Sequence, residues 1–352
     1  MTSEVESLLV PAARTLPSAR SYLAHLDAAA ADPTLVRLAS NESGEPPSPR
    51  VAEALAAAYA DAHRYPPTMP PLLEALAARA GVSTDRVLLG AGSTELIDAT
   101  FRAFVRRGDE VVLPTPSWPV YRARLDALEA SVVEVPLRRG DDAFAYDVDA
   151  LAAAISPRTK IVVVCTPNNP TGNAVGLDAL RALAAASPLL LVDAAYAEFG
   201  VTDPATLVHE LANVVVTRTF SKAYSLAGLR VGYALGAAEV LDYVGRFLVP
   251  GSSAGGAALH AAAAALDDDE HMRAHVARVR ADRERLLAEL RERGFRALAS
   301  EANFVAVDPA PLDAVAFAER LRERGVLVRP LGGLVRITVG STAEVDALLS
   351  AL

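Results

Sequence analysis

Two hydrophobic patterns alternate along most of the chain. From Arg86 onward, short runs of Val, Leu and Ile are followed by stretches in which apolar residues recur every three or four positions. The runs predict buried strands, and the recurring positions predict amphipathic helices. Strands that alternate with helices are typical of a mainly parallel sheet, whose ligand lies at the carboxyl ends of the strands.

The predicted elements divide the chain into three parts. Residues 1–40 form an alanine-rich arm with one predicted helix near 18–31, and we expect the arm to contribute to the small domain or to a dimer contact. Residues 41–248 form a predicted large α/β domain, with a mainly parallel sheet between two helical layers. Residues 249–352 form a predicted smaller α+β domain. Helices are predicted at 51–63, 71–80, 93–106, 120–129, 148–154, 177–186, 237–248, 256–266, 268–292, 311–324 and 342–351. Strands are predicted at 87–89, 110–113, 131–135, 160–165, 189–193, 213–217, 230–235, 303–308, 326–329 and 334–339.

Composition narrows the class of protein. The chain has 352 residues, of which 52% are hydrophobic and 22% charged, as is usual for globular proteins. A net charge of -9, without Lys and Arg gathered on one face, gives no reason to expect a nucleic-acid partner. No charge-free apolar run reaches the roughly 18 residues that suggest a membrane span. The single cysteine, Cys165, excludes an intrachain disulfide, and together with the lack of a secretion signal it predicts a cytoplasmic protein.

The most informative stretch surrounds Lys222. An apolar strand, 214–216, leads into Thr219, Ser221 and Lys222, and Arg230 follows in the next apolar segment. A lysine amine condenses with an aldehyde, whereas hydroxyls and a guanidinium bind a phosphate. The stretch therefore predicts pyridoxal 5'-phosphate, which carries both groups. A lysine in a solvated loop is the ordinary alternative.

Three other strand ends carry residues that suit the same cofactor. The glycine-rich turn 90–95 opens a helix, where backbone N–H groups and the helix dipole bind a phosphate. Trp118 follows the next strand, and its indole could stack on a pyridine ring. Asn169, in the rigid turn 166–172, could donate a hydrogen bond to the ring oxygen. The alternatives are a structural turn, a packing tryptophan and an ordinary proline turn.

Asp193 ends the apolar run 189–192, so we expect its carboxylate to be partly buried and to need a cationic partner. A protonated pyridine nitrogen is such a partner, and Tyr196 could donate to the ring oxygen. An aspartate that caps a helix is the alternative. His271 and His275 are spaced as a metal pair, but no third ligand is evident, and a solvated charged helix is the preferred interpretation.

Together and in this order, the motifs resemble those of the fold-type-I pyridoxal-phosphate enzymes of the aspartate aminotransferase superfamily, and most closely the histidinol-phosphate aminotransferase family. The resemblance covers nearly the whole chain. The matching segments are Leu38-Ala39-Ser40-Asn41-Glu42, Arg64-Tyr65-Pro66, Gly90-Ala91-Gly92-Ser93-Thr94-Glu95-Leu96-Ile97, Pro167-Asn168-Asn169-Pro170-Thr171-Gly172, Asp193-Ala194-Ala195-Tyr196-Ala197-Glu198-Phe199, Ser221-Lys222 and Leu334-Val335-Arg336-Ile337-Thr338-Val339-Gly340.

The resemblance implies a role for each matching residue. Lys222 resembles the lysine that condenses with the cofactor and then moves a proton at the substrate Cα. Asp193 resembles the partner of the pyridine nitrogen, and Trp118 the aromatic ring that stacks on the pyridine. Tyr196 and Asn169 resemble the ligands of the ring oxygen. The residues that resemble the phosphate-binding group are Gly92, Ser93, Thr94, Thr219, Ser221 and Arg230.

Four further matches concern the substrate and a second subunit. Arg336 resembles the arginine that binds an α-carboxylate as a fork, Arg329 one that helps to hold a substrate phosphate, and Asn41 a substrate-loop asparagine. Tyr65 matches a tyrosine that reaches the cofactor phosphate of the neighbouring subunit, which implies a homodimer with shared sites. Only residues 330–335 separate the two arginines, whereas the histidinol-phosphate enzymes usually have a longer loop there.

The activity implied is the transfer of an amino group from an L-amino acid or amine to a 2-oxo acid. Histidinol phosphate with 2-oxoglutarate is the leading pair, and an aromatic or specialised-metabolism amino acid is the main alternative. A decarboxylase that resembles threonine-phosphate decarboxylase would use much the same residues. A transcription regulator that binds pyridoxal phosphate is disfavoured, because the roughly forty residues before Asn41 are too few for a DNA-binding domain.

Overall fold

The computed structural model describes residues 9–16, 27, 31–66, 68–249 and 253–352. Of the predicted helix near 18–31, only positions 27 and 31 fall inside these ranges. The described helices are α1 (Pro11–Thr15), α2 (Pro49–Ala58), α3 (Pro70–Ala80), α4 (Ser93–Phe104), α5 (Pro119–Ala127), α6 (Val148–Ala153), α7 (Leu177–Ala186), α8 (Ala238–Gly245), α9 (Gly256–Asp267), α10 (Asp269–Glu292), α11 (Ala314–Glu323) and α12 (Thr342–Ala351). The strands are β1 (Val36–Arg37), β2 (Val87–Gly90), β3 (Glu110–Thr115), β4 (Ser131–Pro136), β5 (Arg138–Arg139), β6 (Phe144–Ala145), β7 (Thr159–Cys165), β8 (Leu190–Asp193), β9 (Val214–Thr219), β10 (Gly232–Leu235), β11 (Arg296–Leu298), β12 (Phe304–Asp308), β13 (Val326–Leu327), β14 (Arg329–Leu331) and β15 (Leu334–Thr338).

The larger sheet has seven strands in the order β2-β10-β9-β8-β7-β3-β4. Strand β10 runs antiparallel to both neighbours and the remaining pairs are parallel, which confirms the predicted mainly parallel sheet. Within β7, Ile161 and Val163 pack in a cluster with α4 and α5, whereas Val162 and Val164 join the cluster that contains α7. Because helices cover both faces, β7 needs apolar residues at successive positions, and this explains its continuous apolar run.

The smaller sheet is antiparallel, with strands in the order β11-β12-β15-β14. A two-residue turn of Gly332 and Gly333 joins β14 to β15, and both glycines have positive φ values, 56° and 86°. This turn closes a tight hairpin because glycine adopts positive φ without a steric penalty. Within the hairpin, Arg329 lies directly opposite Arg336. Their side chains therefore leave the same face of the sheet.

Two predicted elements differ from the structure. The predicted strand 326–329 is wrong as a single element, since Val326–Leu327 pairs in parallel with Val36–Arg37 and a separate strand begins at Arg329. Its partner comes from a distant segment, which the local pattern does not reveal. The helix predicted at 51–63 ends as an α-helix at Ala58 and continues as the 3₁₀ turn Tyr59–Asp61. The short strand β11 was not predicted.

The carboxyl ends of the central strands bring polar residues into register. Cys165, Asp193 and Thr217 lie side by side on β7, β8 and β9. This edge of the sheet is where a ligand binds in parallel α/β folds. In the described ranges, no helix combines the length and apolar character that crossing a membrane requires.

Candidate active site

Lys222 follows β9, and its amine points to the loop that carries Asn41. Its Nζ donates to the backbone carbonyl of Asn41 at 2.8 Å and to that of Ser40 at 3.3 Å. Removal from water lowers the pKa of Lys222 to about 7, and the nearby guanidinium of Arg336 acts in the same direction, whereas the Glu42 carboxylate opposes it. A large fraction of this amine is therefore neutral near pH 7, the form that attacks an aldehyde.

Asp193 ends β8 and is only 4% exposed. The hydroxyl of Tyr121 donates to its Oδ2 at 2.5 Å, while the N–H of Ala195 and the hydroxyl of Thr217 lie 3.2 Å and 3.5 Å from Oδ1. Burial raises the pKa of Asp193, and the Tyr121 hydrogen bond is the largest influence that lowers it. A buried carboxylate with these donors suits a cationic partner such as a protonated pyridine nitrogen.

Four other predicted site residues form one hydrogen-bonded group. The hydroxyl of Tyr196 accepts from Nδ2 of Asn41 at 3.0 Å and from Nδ2 of Asn169 at 3.4 Å. Arg336 donates through Nη1 to Oδ1 of Asn169 at 2.7 Å and through Nη2 to the carbonyl of Ala39 at 2.7 Å. The predicted ring-oxygen ligands and the predicted carboxylate ligand are thus within hydrogen-bond reach of one another.

Two hydroxyls and a guanidinium meet beyond the end of β9. The hydroxyl of Thr219 donates to Oγ of Ser221 at 2.9 Å, and Nη1 of Arg230 lies 3.4 Å from the same Ser221 oxygen. Arg230 itself has a positive φ of 55°, which turns the chain back towards β10. Hydroxyls beside a guanidinium form a group that binds phosphate.

The amino end of α4 lies against this group. Gly92 has a φ of 79°, and a Cβ at this position would come within 2.6 Å of Nη2 of Arg230. Ser93 and Thr94 begin the helix, and no side chain in the described ranges caps it. Their backbone N–H groups are therefore suited to an anion, and the absence of a Cβ at Gly92 leaves room for the arginine. The predicted phosphate-binding residues converge in space.

The remaining predicted residues have different placements. Trp118 stands just before α5 and packs edge-on against Tyr121, with ring centroids 5.3 Å apart and an interplanar angle of 88°. Arg329 is half-buried on β14, opposite Arg336. Tyr65 is 89% exposed, so one chain alone gives it little contact, and its predicted role at a neighbouring subunit stays a prediction.

Sequence reasoning did not identify three residues that contact this group. Tyr121 binds Asp193, Thr338 accepts from the N–H of Asn41 at 2.9 Å, and Asn303 donates to the carbonyl of Asn41 at 3.2 Å. Thr338 and Asn303 are polar residues within or next to apolar strands, and this feature of the sequence could have identified them. Tyr121 had no signal beyond its nearness to Trp118.

The prediction that His271 and His275 lie on a solvated helix surface is wrong for His275. This residue is 5% exposed and packs edge-on against Phe199. Its Nδ1 lies 3.6 Å from Oε2 of Glu45. The apolar face of α10 turns this histidine inward. In the part of the chain that the structure describes, no three or more His, Cys, Asp or Glu residues are grouped as a metal would need.

A family model described as aminotransferase class I and II matches residues 33–352. The chain belongs to this family. Histidinol-phosphate aminotransferase 2 of Caulobacter vibrioides is 39% identical over 326 residues, which cover 90% of this chain and 85% of that protein. An aromatic amino acid aminotransferase of Mycobacteroides abscessus is 38% identical over 325 residues, 90% of this chain and 92% of that protein. The crystal structure of histidinol-phosphate aminotransferase from Sinorhizobium meliloti, in complex with pyridoxal 5'-phosphate, is similar with a TM-score of 0.85 and 29% identity, covering 98% of this chain and 96% of that chain.

This aminotransferase has the type-I fold and depends on pyridoxal phosphate, so the predicted fold, enzyme class and cofactor are confirmed. The residues present fit the cofactor. The amino end of α4 and Arg230 suit its phosphate, and the Lys222 amine, with a pKa of about 7, suits its aldehyde. The buried Asp193 carboxylate suits its ring nitrogen.

Proposed function

We propose that this aminotransferase transfers the amino group between histidinol phosphate and 2-oxoglutarate. The observation that carries the proposal is the pairing of Arg329 with Arg336 across the hairpin, which directs two guanidiniums from one face of the smaller sheet. Histidinol phosphate carries a phosphate and 2-oxoglutarate carries two carboxylates, and guanidinium binds both kinds of anion through paired N–H groups. Relatives named histidinol-phosphate aminotransferase support the same substrate.

Lys222 is the residue that we assign to proton movement. Bound pyridoxal phosphate supplies an electron sink for the bond that breaks at the substrate Cα. In its neutral form, Nζ of Lys222 would take the proton from Cα and would afterwards deliver it to C4', the cofactor carbon that carried the aldehyde. A pKa of about 7 supports this role, because the amine is then neutral often enough to act as a base and acidic enough to act as an acid.

Asp193 and Tyr196 are assigned to holding the cofactor ring. The ionised carboxylate of Asp193 would pair with the pyridine nitrogen and keep that nitrogen protonated. The hydroxyl of Tyr196, together with the amide of Asn169, would bind the ring oxygen. Trp118 would cover one face of the ring, since it precedes a helix that also carries the Asp193 partner Tyr121.

An aromatic amino acid is the second candidate donor. A relative with that specificity in its name matches this chain as well as one named for histidinol phosphate, at 38% against 39% identity. The tight turn between Leu331 and Leu334 also makes the hairpin shorter than the usual histidinol-phosphate loop. A phenyl ring needs no second guanidinium, so Arg329 separates the two candidates.

A panel of donors and acceptors tests the substrate. Holoenzyme is mixed with histidinol phosphate, phenylalanine, tyrosine or threonine phosphate, and the visible absorbance of the cofactor and any released carbon dioxide are followed. We expect histidinol phosphate to change the absorbance fastest, 2-oxoglutarate to restore it, and no carbon dioxide to form. Faster reaction of phenylalanine would favour the aromatic candidate, and carbon dioxide would indicate decarboxylation.

The variant Arg329→Ala sharpens this comparison. We expect it to raise KM for histidinol phosphate by about tenfold to a hundredfold, as for a lost charged hydrogen bond. Phenylalanine serves as the matched control substrate, for which KM should change little. Equal losses with both donors would count against a phosphate-binding role for Arg329.

We further infer a cytoplasmic homodimer in which Tyr65 reaches the neighbouring site. The 89% exposure of Tyr65 supports this, because such an exposed aromatic side chain is available to contact a partner.

The proposed domains are an arm at 1–40, a large domain at 41–248 and a small domain at 249–352. The pairing of Val36–Arg37 with Val326–Leu327 supports joining the arm to the small domain.

A further inference from the structure

Asn41 lies in a loop and contacts both Lys222 and the smaller sheet. Its φ of 53° lies in the left-handed region, which non-glycine residues adopt rarely. The N–H donates to the hydroxyl of Thr338 at 2.9 Å, and its carbonyl accepts from Nζ of Lys222 at 2.8 Å and from Nδ2 of Asn303 at 3.2 Å. The side chains of Thr338 and Asn303 thus hold the Asn41 backbone, whose carbonyl accepts the hydrogen bond from Lys222.

Asn303 is an unusual residue for its position. It is 2% exposed, between apolar neighbours, and its Oδ1 accepts no hydrogen bond from the residues that the structure describes. An unpaired buried acceptor destabilises a fold, whereas a leucine of similar size would avoid this penalty. Packing therefore does not explain why an amide occupies this position. The hydrogen bond of Asn303 to the Asn41 carbonyl does explain it.

The backbone around Asn303 is fixed independently of Asn41. The carbonyl of Asn303 accepts from the N–H of Val339 at 2.9 Å, and the carbonyl of Ala302 accepts from Nη1 of Arg283 at 3.0 Å. Two residues earlier, the N–H of Glu301 donates to the carbonyl of Gly172 at 2.8 Å. A rigid backbone allows the Asn303 amide to act as a fixed anchor for the more exposed loop around Asn41.

We propose, given the role assigned to Lys222 above, that Asn303 is a positioning residue for that lysine. Its amide fixes the Asn41 carbonyl, so that this carbonyl and the Ser40 carbonyl receive the lysine amine whenever the amine is not joined to the cofactor. The amine is thereby kept close to Tyr196, whose ring centroid lies 5.9 Å from Nζ.

The charges that face Lys222 make such an anchor useful. Arg336 and Arg230 repel its ammonium form, while Glu42 and Asp193 attract it. Without fixed acceptors, the flexible lysine side chain can follow any of these groups. With the anchored carbonyl, the free amine returns to one position, from which it can transfer a proton to or from the substrate Cα.

The experiment compares Asn303→Leu with the matched control Asn213→Leu. The Asn213 amide also donates to backbone carbonyls, those of Ala184 at 2.8 Å and Ser187 at 2.9 Å, but it lies before β9 at the opposite end of the strand. Loss of this amide tests the general effect of removing a structural hydrogen bond. The wild-type chain and both variants are prepared with and without pyridoxal phosphate.

Lysine content makes the first measurement simple. The sequence has two lysines, Lys160 and Lys222, so protein grown with lysine labelled with ¹³C at Cε gives two lysine signals. In Asn303→Leu apoprotein, we expect the Lys222 signal to broaden or split while the Lys160 signal stays unchanged. Amide hydrogen exchange in residues 39–44 should become about tenfold faster, as in a segment that opens more often. The control should show neither change.

The second measurement uses the holoenzyme. With a donor deuterated at Cα, we expect a larger isotope effect on kcat in Asn303→Leu, because proton transfer at Cα becomes slower relative to other steps. An unchanged lysine signal, exchange rate and isotope effect would overturn the proposal. If the leucine variant does not fold, Asn303→Ala must show the same three changes. Borohydride labelling of Lys160 instead of Lys222 would refute the assigned role of Lys222, whereas correct labelling with no effect of Asn303→Leu would refute the positioning role alone.

Discussion

Replacing Tyr121 by Phe removes the shortest hydrogen bond to Asp193 and leaves the ring in place. The remaining donors, the N–H of Ala195 and the hydroxyl of Thr217, lie 3.2 Å and 3.5 Å from the other carboxylate oxygen. Because the carboxylate is 4% exposed, water does not easily replace the lost donor. The hydrogen bond lowers the pKa of Asp193, so the variant should have a higher pKa and a weaker hold on a protonated pyridine.

A hydrogen bond to a charged group contributes about 1.5–3 kcal/mol. Since about 1.4 kcal/mol corresponds to a factor of ten, we expect pyridoxal phosphate to bind Tyr121→Phe about ten to a hundred times more weakly. Equilibrium dialysis of apoprotein against the cofactor measures this affinity. The loss should grow as the pH falls, because a carboxyl group with a raised pKa takes up its proton at a higher pH.

Tyr146→Phe is the matched control. Tyr146 is also a buried tyrosine of the same region, but its hydroxyl donates to the backbone carbonyl of Cys165 instead of the Asp193 carboxylate. We expect this variant to lose stability without a comparable loss of cofactor affinity. Equal losses in the two variants, or unchanged affinity in Tyr121→Phe, would refute the reasoning that the hydrogen bond tunes Asp193 for the ring nitrogen.

Three further predictions concern the substrate, the second subunit and the lysine. Arg336→Lys should raise KM for amino acid donors at least about tenfold, since an ammonium cannot replace a guanidinium fork, with little change in cofactor affinity; equal losses of both would contradict the carboxylate role. Mixing Tyr65→Phe and Lys222→Ala chains should give more activity than the sum of the two parents, because a hybrid contains one site with both natural residues; a mixture that only sums its parents would show that Tyr65 acts within its own chain or not at all. In apoprotein, the ¹³C signal of Lys222 should titrate near pH 7, and the rate of cofactor incorporation should rise with pH through that point; titration near the ordinary lysine value would show that the site does not lower this pKa.

The sequence was sufficient to predict the order of the elements and which strand ends carry the candidate site residues. Asp193, Asn169 and Lys222 each follow an apolar run, and the carboxyl ends of parallel strands lie on one edge of a sheet. Their approximate meeting place therefore follows from pattern and topology together. The position of Gly92 at the start of α4 also follows, because a glycine between a strand and a helix is a local signal.

The contacts between distant segments could not be predicted in the same way. Tyr121 meets Asp193 because β3, β7 and β8 are adjacent in the sheet, and strand order is not encoded in any local pattern. Asn303 meets Asn41 because the smaller sheet packs beside the loop, although the two residues are far apart in the chain. The division of 326–329 into two strands has the same origin, since β1 pairs with only the first half.

The covalent attachment of the cofactor is the central claim, and borohydride reduction tests it most directly. The chain has two lysines, and their surroundings differ. Lys160 lies at the start of β7 and forms a 3.9 Å ion pair with Asp109, away from the group around Lys222. Holoenzyme is reduced, digested and examined by peptide mass spectrometry. We expect the visible absorbance to disappear and the mass of the reduced cofactor to be found only on the peptide with Lys222. The mass on the Lys160 peptide, or on neither peptide, would contradict the assignment.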